Sequence, residues 1–155
     1  MSMQWWLFFH LLGATFGVGF VFFQILLAAR VKRLKGTPDE GALMKAHLMI
    51  SRMGSVFLLT LLVTGVAMWG MNDYKSMGRS MGWLHAKAFN VVLLYGLFFF
   101  VSVPNGKKVG LALSQPGSVV TDEVRSAYRK AVMAGHTAML LILINVILGY
   151  WKPGY

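Results

Sequence analysis

Residues 81–103 read MGWLHAKAFNVVLLYGLFFFVSV, an apolar run interrupted near its start by His85 and Lys87. Its length is close to the ~20 residues that carry an α-helix across a bilayer. Three further runs of this kind stand at 5–29, 53–71 and 131–151. The whole chain agrees with that reading: 57% of its 155 residues are hydrophobic, 13% are charged and none is cysteine, and the mean hydropathy is +0.62. A soluble domain does not have this balance. The runs leave no room for a second domain, so the expected fold is all-α, a single four-helix transmembrane bundle over residues 1–155. The first run lacks a basic n-region, is too long for an h-region and runs straight into Arg30, which reads as a retained helix and not a cleaved signal.

Lysines and arginines predict the orientation. Loop one and its flanks carry Arg30, Lys32, Arg33, Lys35, Lys45 and Arg52, and loop three carries Lys107, Lys108, Arg125, Arg129 and Lys130, whereas loop two has only Lys75 and Arg79. The positive-inside rule then puts loops one and three in the cytoplasm and both termini outside. Trp5, Trp6, Trp69, Trp83 and Trp151 all fall at the ends this arrangement makes external, where an interfacial aromatic belt belongs. The net charge of +10 therefore reads as a topology signal and an attraction to anionic headgroups of the lipid bilayer. No loop interleaves basic and aromatic residues as a nucleic-acid surface does.

Two helices are expected to extend past the bilayer into the cytoplasm. Thr37-Pro38-Asp39-Glu40 has the pattern of a capping box with proline at the first helical position, and Thr121-Asp122-Glu123 is a similar start. Helix two then runs from about Pro38 to Met71, and helix four starts ahead of its apolar run. Residues 104–120, PNGKKVGLALSQPGSVV, read as a loop, whose Gly106-Lys107-Lys108 lacks the spacing of a phosphate-binding loop.

The acids Asp39, Glu40, Asp73, Asp122 and Glu123 all lie in loops or helix starts, which leaves no intramembrane carboxylate for proton chemistry. The polar content of the bundle is basic instead, with one histidine for each helix: His10, His47, His85 and His136. Counted from the helix midpoints, His10 and His85 sit roughly 10 Å toward the outside, and His136 ~7 Å toward the inside. Equal depth is what two imidazoles need to share a metal or a haem iron. The same depth also suits an interfacial histidine bonded to a headgroup. Gly13 and Gly17 lie on the His10 face in a GxxxG pattern, which either leaves space for a flat macrocycle or only brings a neighbouring helix close. His136 lies near mid-membrane, where an ionisable residue is a functional candidate. His85 and Lys87 are about 200° apart around a helix. The expectation is that His85 faces the bundle axis and coordinates iron with His10, while Lys87 curves back to a cofactor edge or snorkels outward. His136 either forms a second site with His47 or hydrogen-bonds within the core. Met68, Met71, Met77 and Met81 offer a rival chemistry, since thioethers favour Cu(I), or are simply adaptable packing.

GWLHAK at the start of helix three, SRMGSVFLLTLLVTGVAMWGM in helix two, the histidine early in helix one and the closing WKPGY resemble the HemJ-type protoporphyrinogen oxidase group and its wider four-helix relatives, including copper-resistance-D-like membrane proteins. The resemblance implies haem b as cofactor, a multi-pass protein of the bacterial inner membrane, and porphyrin redox chemistry. It further implies functional roles, catalytic or cofactor-binding, for His10, Arg52 and Lys87. The chain departs from the pattern in helix four, where Gly135-His136 stands in place of an Asn-Glu pair. The expected function is haem-b-based electron transfer or porphyrin redox chemistry. The alternatives are a protoporphyrinogen oxidase proper acting on a porphyrin substrate, a copper-handling protein, and an accessory subunit of a larger membrane redox complex or a homo-oligomer.

Overall fold

A computed structural model describes residues 2–71, 82–115 and 117–151. Lys75, Arg79, Met77, Met81, Asp73 and the closing Lys152-Pro153 lie outside these residues. The described chain is helical: α1 (Met3–Arg33), α2 (Glu40–Met71), α3 (Gly82–Leu97), a π-helical turn (Phe98–Ser102), α4 (Val103–Ala112) and α5 (Asp122–Trp151). α3, the π-turn and α4 are continuous, so the elements make four rods, each long and apolar enough to cross a membrane. α1 packs chiefly on α2, and the α3–α4 rod packs chiefly on α5. One end of the bundle carries the basic clusters and the other the tryptophans.

The third rod does not stop at residue 103; half of the expected 104–120 loop is helix, up to Ala112. Pro104 cannot give an N–H to the preceding turn, and its ring needs room there. The chain provides that room by widening: the N–H of Val103 donates to the Phe98 carbonyl, five residues back. Asn105 Nδ2 then donates to the Val101 carbonyl at 2.7 Å, and Pro104 sits in the first turn of α4, where its missing N–H costs least.

The two helix starts differ. At α5 the N–H of Val124 donates to Thr121 Oγ1 at 3.3 Å, a side-chain cap as the sequence leads one to expect. At α2 the capping box does not form. Thr37 Oγ1 donates back to the Leu34 carbonyl at 2.8 Å, and the Glu40 carboxylate is engaged elsewhere: Arg125 donates from Nε to Oε1 and from Nη2 to Oε2, both at 2.9 Å, and the Gly36 N–H donates to Oε2 at 2.8 Å. A bidentate guanidinium is a stronger partner than a backbone amide. The hydrogen bonds from Arg125 hold the buried Glu40 carboxyl below its ordinary range, against burial, which pushes it up.

The main buried cluster lies at the basic end, beneath this ion pair. Val31, Met44, Val109, Leu113, Val124 and Tyr128 come from α1, α2, α4, α5 and the turn after α4. Here the rods pass beyond their apolar runs, so apolar side chains have only one another to bury against. Along the apolar runs the pattern is reversed: Phe22, Val56, Phe89 and Leu140 are exposed, on helices long and apolar enough to cross a membrane. Small residues let the spans approach each other closely. Cβ atoms built on Gly13 would lie 3.5 Å from Leu61 and Thr60, and one on Gly54 would lie 3.2 Å from Gln24 Nε2.

Candidate functional site

The polar side chains within the bundle are gathered at separate levels. At the tryptophan end, His10 on α1 meets Thr64 on α2, Nδ1 to Oγ1, at 2.8 Å. Thr64 is buried, and its hydroxyl proton goes to the Thr60 carbonyl, one turn back, at 2.7 Å. With its proton so placed, its oxygen accepts from the ring. This arrangement suits the His10 tautomer in which Nδ1 carries the proton and Nε2 the lone pair. A second-partner bond at Nδ1 is how proteins orient an imidazole that uses Nε2 as a ligand.

Lys87 is a charged side chain in electrostatic reach of the His10 ring. Its ammonium is seated against α5: a Cβ on Gly149 would lie 2.8 Å from Nζ, so the niche exists because residue 149 has no side chain. The same ammonium lies 5.5 Å from the centre of the Trp83 ring, within the range of a cation–π contact. Among the described residues, Trp83 Nε1 is the buried side-chain polar atom without a hydrogen-bond partner. One turn further in, Asn90 Nδ2 donates to Asn145 Oδ1 at 3.1 Å and ties α3 to α5. Deeper still, Tyr95 donates its hydroxyl to the Leu58 carbonyl of α2 at 2.8 Å.

The structure thus brings His10 and Lys87 together, while His85 is exposed on the other side of α3. The two residues do diverge around the helix, but the inward one is the lysine. The Gly13 and Gly17 face is filled by Leu61, Thr60 and Phe57 of α2, so its smallness serves helix contact.

Toward the basic end lies a cavity of about 90 Å³ lined by Gln24, His47, Ser51, Ser102, Gly135 and His136 among others. It has room for several waters and none for a macrocycle. Gln24 spans it, its amide lying near both Gly54 and Gly135. His47 is buried and its Nδ1 hydrogen-bonds the hydroxyl of buried Tyr128. His136 is within electrostatic reach of His47, borders the cavity and is exposed on its far side. The expected partnership of His47 and His136 is thus a shared cavity. Among the described residues no group of three or more histidines and carboxylates is placed to hold a metal ion.

Arg52 belongs to neither site. It is exposed at the basic end, in a groove with Lys45 and Lys107, about 18 Å along α2 from Thr64. Sequence reasoning passed over Thr64, Tyr128 and Gln24, and took Trp83 only as part of an interfacial belt. Only the Thr60/Thr64 pair, one turn apart on an apolar helix, left a visible trace. No family model matches this chain, nor does any curated protein or solved structure.

Proposed function

We propose that this is an integral membrane protein that holds haem b near the tryptophan-rich end of its bundle and works in electron transfer or porphyrin redox chemistry. One observation carries the reading: His10, bonded through Nδ1 to Thr64, lies in electrostatic reach of the Lys87 ammonium, which in turn sits over the Trp83 ring. An imidazole lone pair suits a haem iron, and an ammonium and an indole N–H suit a porphyrin's acidic edge. Haem would supply the one-electron chemistry. In this reading His10 binds the iron, Thr64 keeps the ring in its ligand tautomer, and Lys87 with Trp83 orients a carboxylate. His85, being exposed, takes no part. The HemJ-type resemblance points the same way, as do the bacterial inner membrane and the external placement of both termini that the charge pattern favours. His136, where that resemblance would have an acid, is the reason electron transfer is preferred to porphyrinogen oxidation.

The test is optical. The purified protein, as isolated or titrated with haemin, should show a Soret band and sharp reduced α and β bands. His10→Ala should abolish them, and Thr64→Val should weaken haem affinity by about 10–100-fold, the usual cost of losing an outer partner. His85→Ala should leave them in place. A protein that takes up no haemin, or a spectrum that survives His10→Ala, overturns the proposal. Bound copper in a colourless preparation would favour copper handling, and neither haem nor copper would favour an accessory subunit.

A further inference from the structure

At the basic end, α2 and α4 enclose a groove of about 600 Å³ lined by Lys45, Leu48, Met49, Arg52, Lys107 and Leu111, with Gly110 at its floor. Lys45 and Arg52 are seven residues apart, on one face of α2. The guanidinium of Arg52 lies across Gly110, its Nη2 3.9 Å from where a Cβ there would be. One turn before it, Gly106 lets Leu48 approach to 3.7 Å of the same virtual position. Two glycines on α4 thus admit α2 and its cations. Three like charges converge here, and no Asp or Glu is among the lining residues. All five acids of the chain lie elsewhere in its sequence, and of these Glu40 and Asp122 are bonded to Arg125.

Mutual repulsion among three cations makes such a gathering unfavourable unless an anion answers it. The position of the groove says which anion. Arg52 immediately precedes the apolar run of α2, and Lys107 follows the apolar run of the third rod. The charges therefore stand at the boundary between headgroups and acyl chains. The rim is apolar and open: Met49 and Leu111 are 68% and 76% exposed. A free anion has no use for that rim, whereas a phospholipid places its phosphate among the cations and its chains along Leu48, Met49 and Leu111. We infer that this groove is a specific site for an anionic phospholipid of the leaflet at the basic end, with Arg52, Lys45 and Lys107 as its phosphate ligands. The inference is independent of the haem site at the opposite end.

Native mass spectrometry of the full-length, detergent-purified protein titrated with phosphatidylglycerol or phosphatidylcholine tests it. One tight phosphatidylglycerol adduct is expected, with phosphatidylcholine weaker. Removing two of the charges in Arg52→Gln/Lys107→Gln should weaken that adduct roughly 30-fold, at the usual increment per basic residue near a membrane surface. Lys32→Gln/Arg33→Gln removes equal charge from an exposed stretch outside the groove and should leave the adduct unchanged. The charge-preserving Arg52→Lys/Lys107→Arg should retain most of the affinity, which separates lost phosphate contacts from lost folding. Equal binding of both lipids overturns the inference, as does equal loss in the two charge-removing variants. Displacement of phosphatidylglycerol by equimolar inorganic phosphate would make this a free-phosphate site and overturn the lipid assignment.

Discussion

Replacing Tyr128 with phenylalanine removes one hydroxyl from the basic-end core and leaves almost everything else in place. The ring still packs edge-on against His47 at a centroid distance of 5.5 Å, so the apolar contribution is kept. What goes is the hydrogen bond to His47 Nδ1. Both residues are buried, at 3% and 7% exposure, so the lost partner can be replaced only by water of the cavity that His47 borders. A net hydrogen bond contributes about 1 kcal/mol, and stranding a buried polar atom raises the cost to about 1–3 kcal/mol. The expected destabilisation is therefore about 2 kcal/mol, which at this chain length lowers Tm by roughly 4–8 °C. Equilibrium unfolding in mixed micelles, followed by circular dichroism across a denaturing-detergent titration, measures the free energy directly. A His47→Leu/Tyr128→Phe double mutant should cost less than the sum of the singles by at least ~1 kcal/mol, because each single change strands the other's polar atom. A Tyr128→Phe protein within ~0.5 kcal/mol of wild type, or strictly additive singles, would refute the reasoning.

Glu40 predicts a pH dependence: its carboxyl is held below the ordinary 4.5 by the Arg125 hydrogen bonds, so the pair's stabilisation is present above pH 4.5 and is lost as pH falls through the lowered native value. Detergent-stable thermal melts should fall over that acid range in wild type and stay flatter in Glu40→Gln. Gly149→Ala places a methyl where Lys87 Nζ now sits; the long side chain can move aside, so Tm should shift by no more than a few degrees while haem retention drops. Reporter fusions after Trp151 and after Gln115 should score on opposite sides of the membrane, and agreement between them would contradict the topology drawn from the basic residues.

The four long apolar helices were legible because hydropathy alone marks them, and counting along rods of constant rise gave His10 and His85 a common level, although it is Lys87, two residues on, that lies in reach of His10. The rotation of α3 was not legible. A soluble helix declares its buried face by polarity, but α3 is apolar nearly all round. What turns Lys87 inward is an opening at Gly149 on a helix whose sequence lies some sixty residues away. The Glu40–Arg125 pair joins residues 85 positions apart, and a capping pattern at α2 concealed it by offering a local use for the same carboxylate. Pro104 was read as an end of helix, the ordinary inference, because nothing in the surrounding phenylalanines signals that the chain would widen by one residue and continue.

A π-turn is an α-helix carrying one surplus residue, so whatever follows it is rotated by about 100° about the rod axis relative to an unbroken helix. α3, whose Lys87 and Asn90 address α5, and α4, whose Gly106 and Gly110 address α2, are therefore two separately clocked faces on one shaft. Deleting a single residue within 98–102 would restore one common phase and swing Lys107 away from Arg52 while α3 kept its bearing. A lineage carrying such a joint can re-aim one end of the protein by gaining or losing a residue there, without altering a side chain at the other.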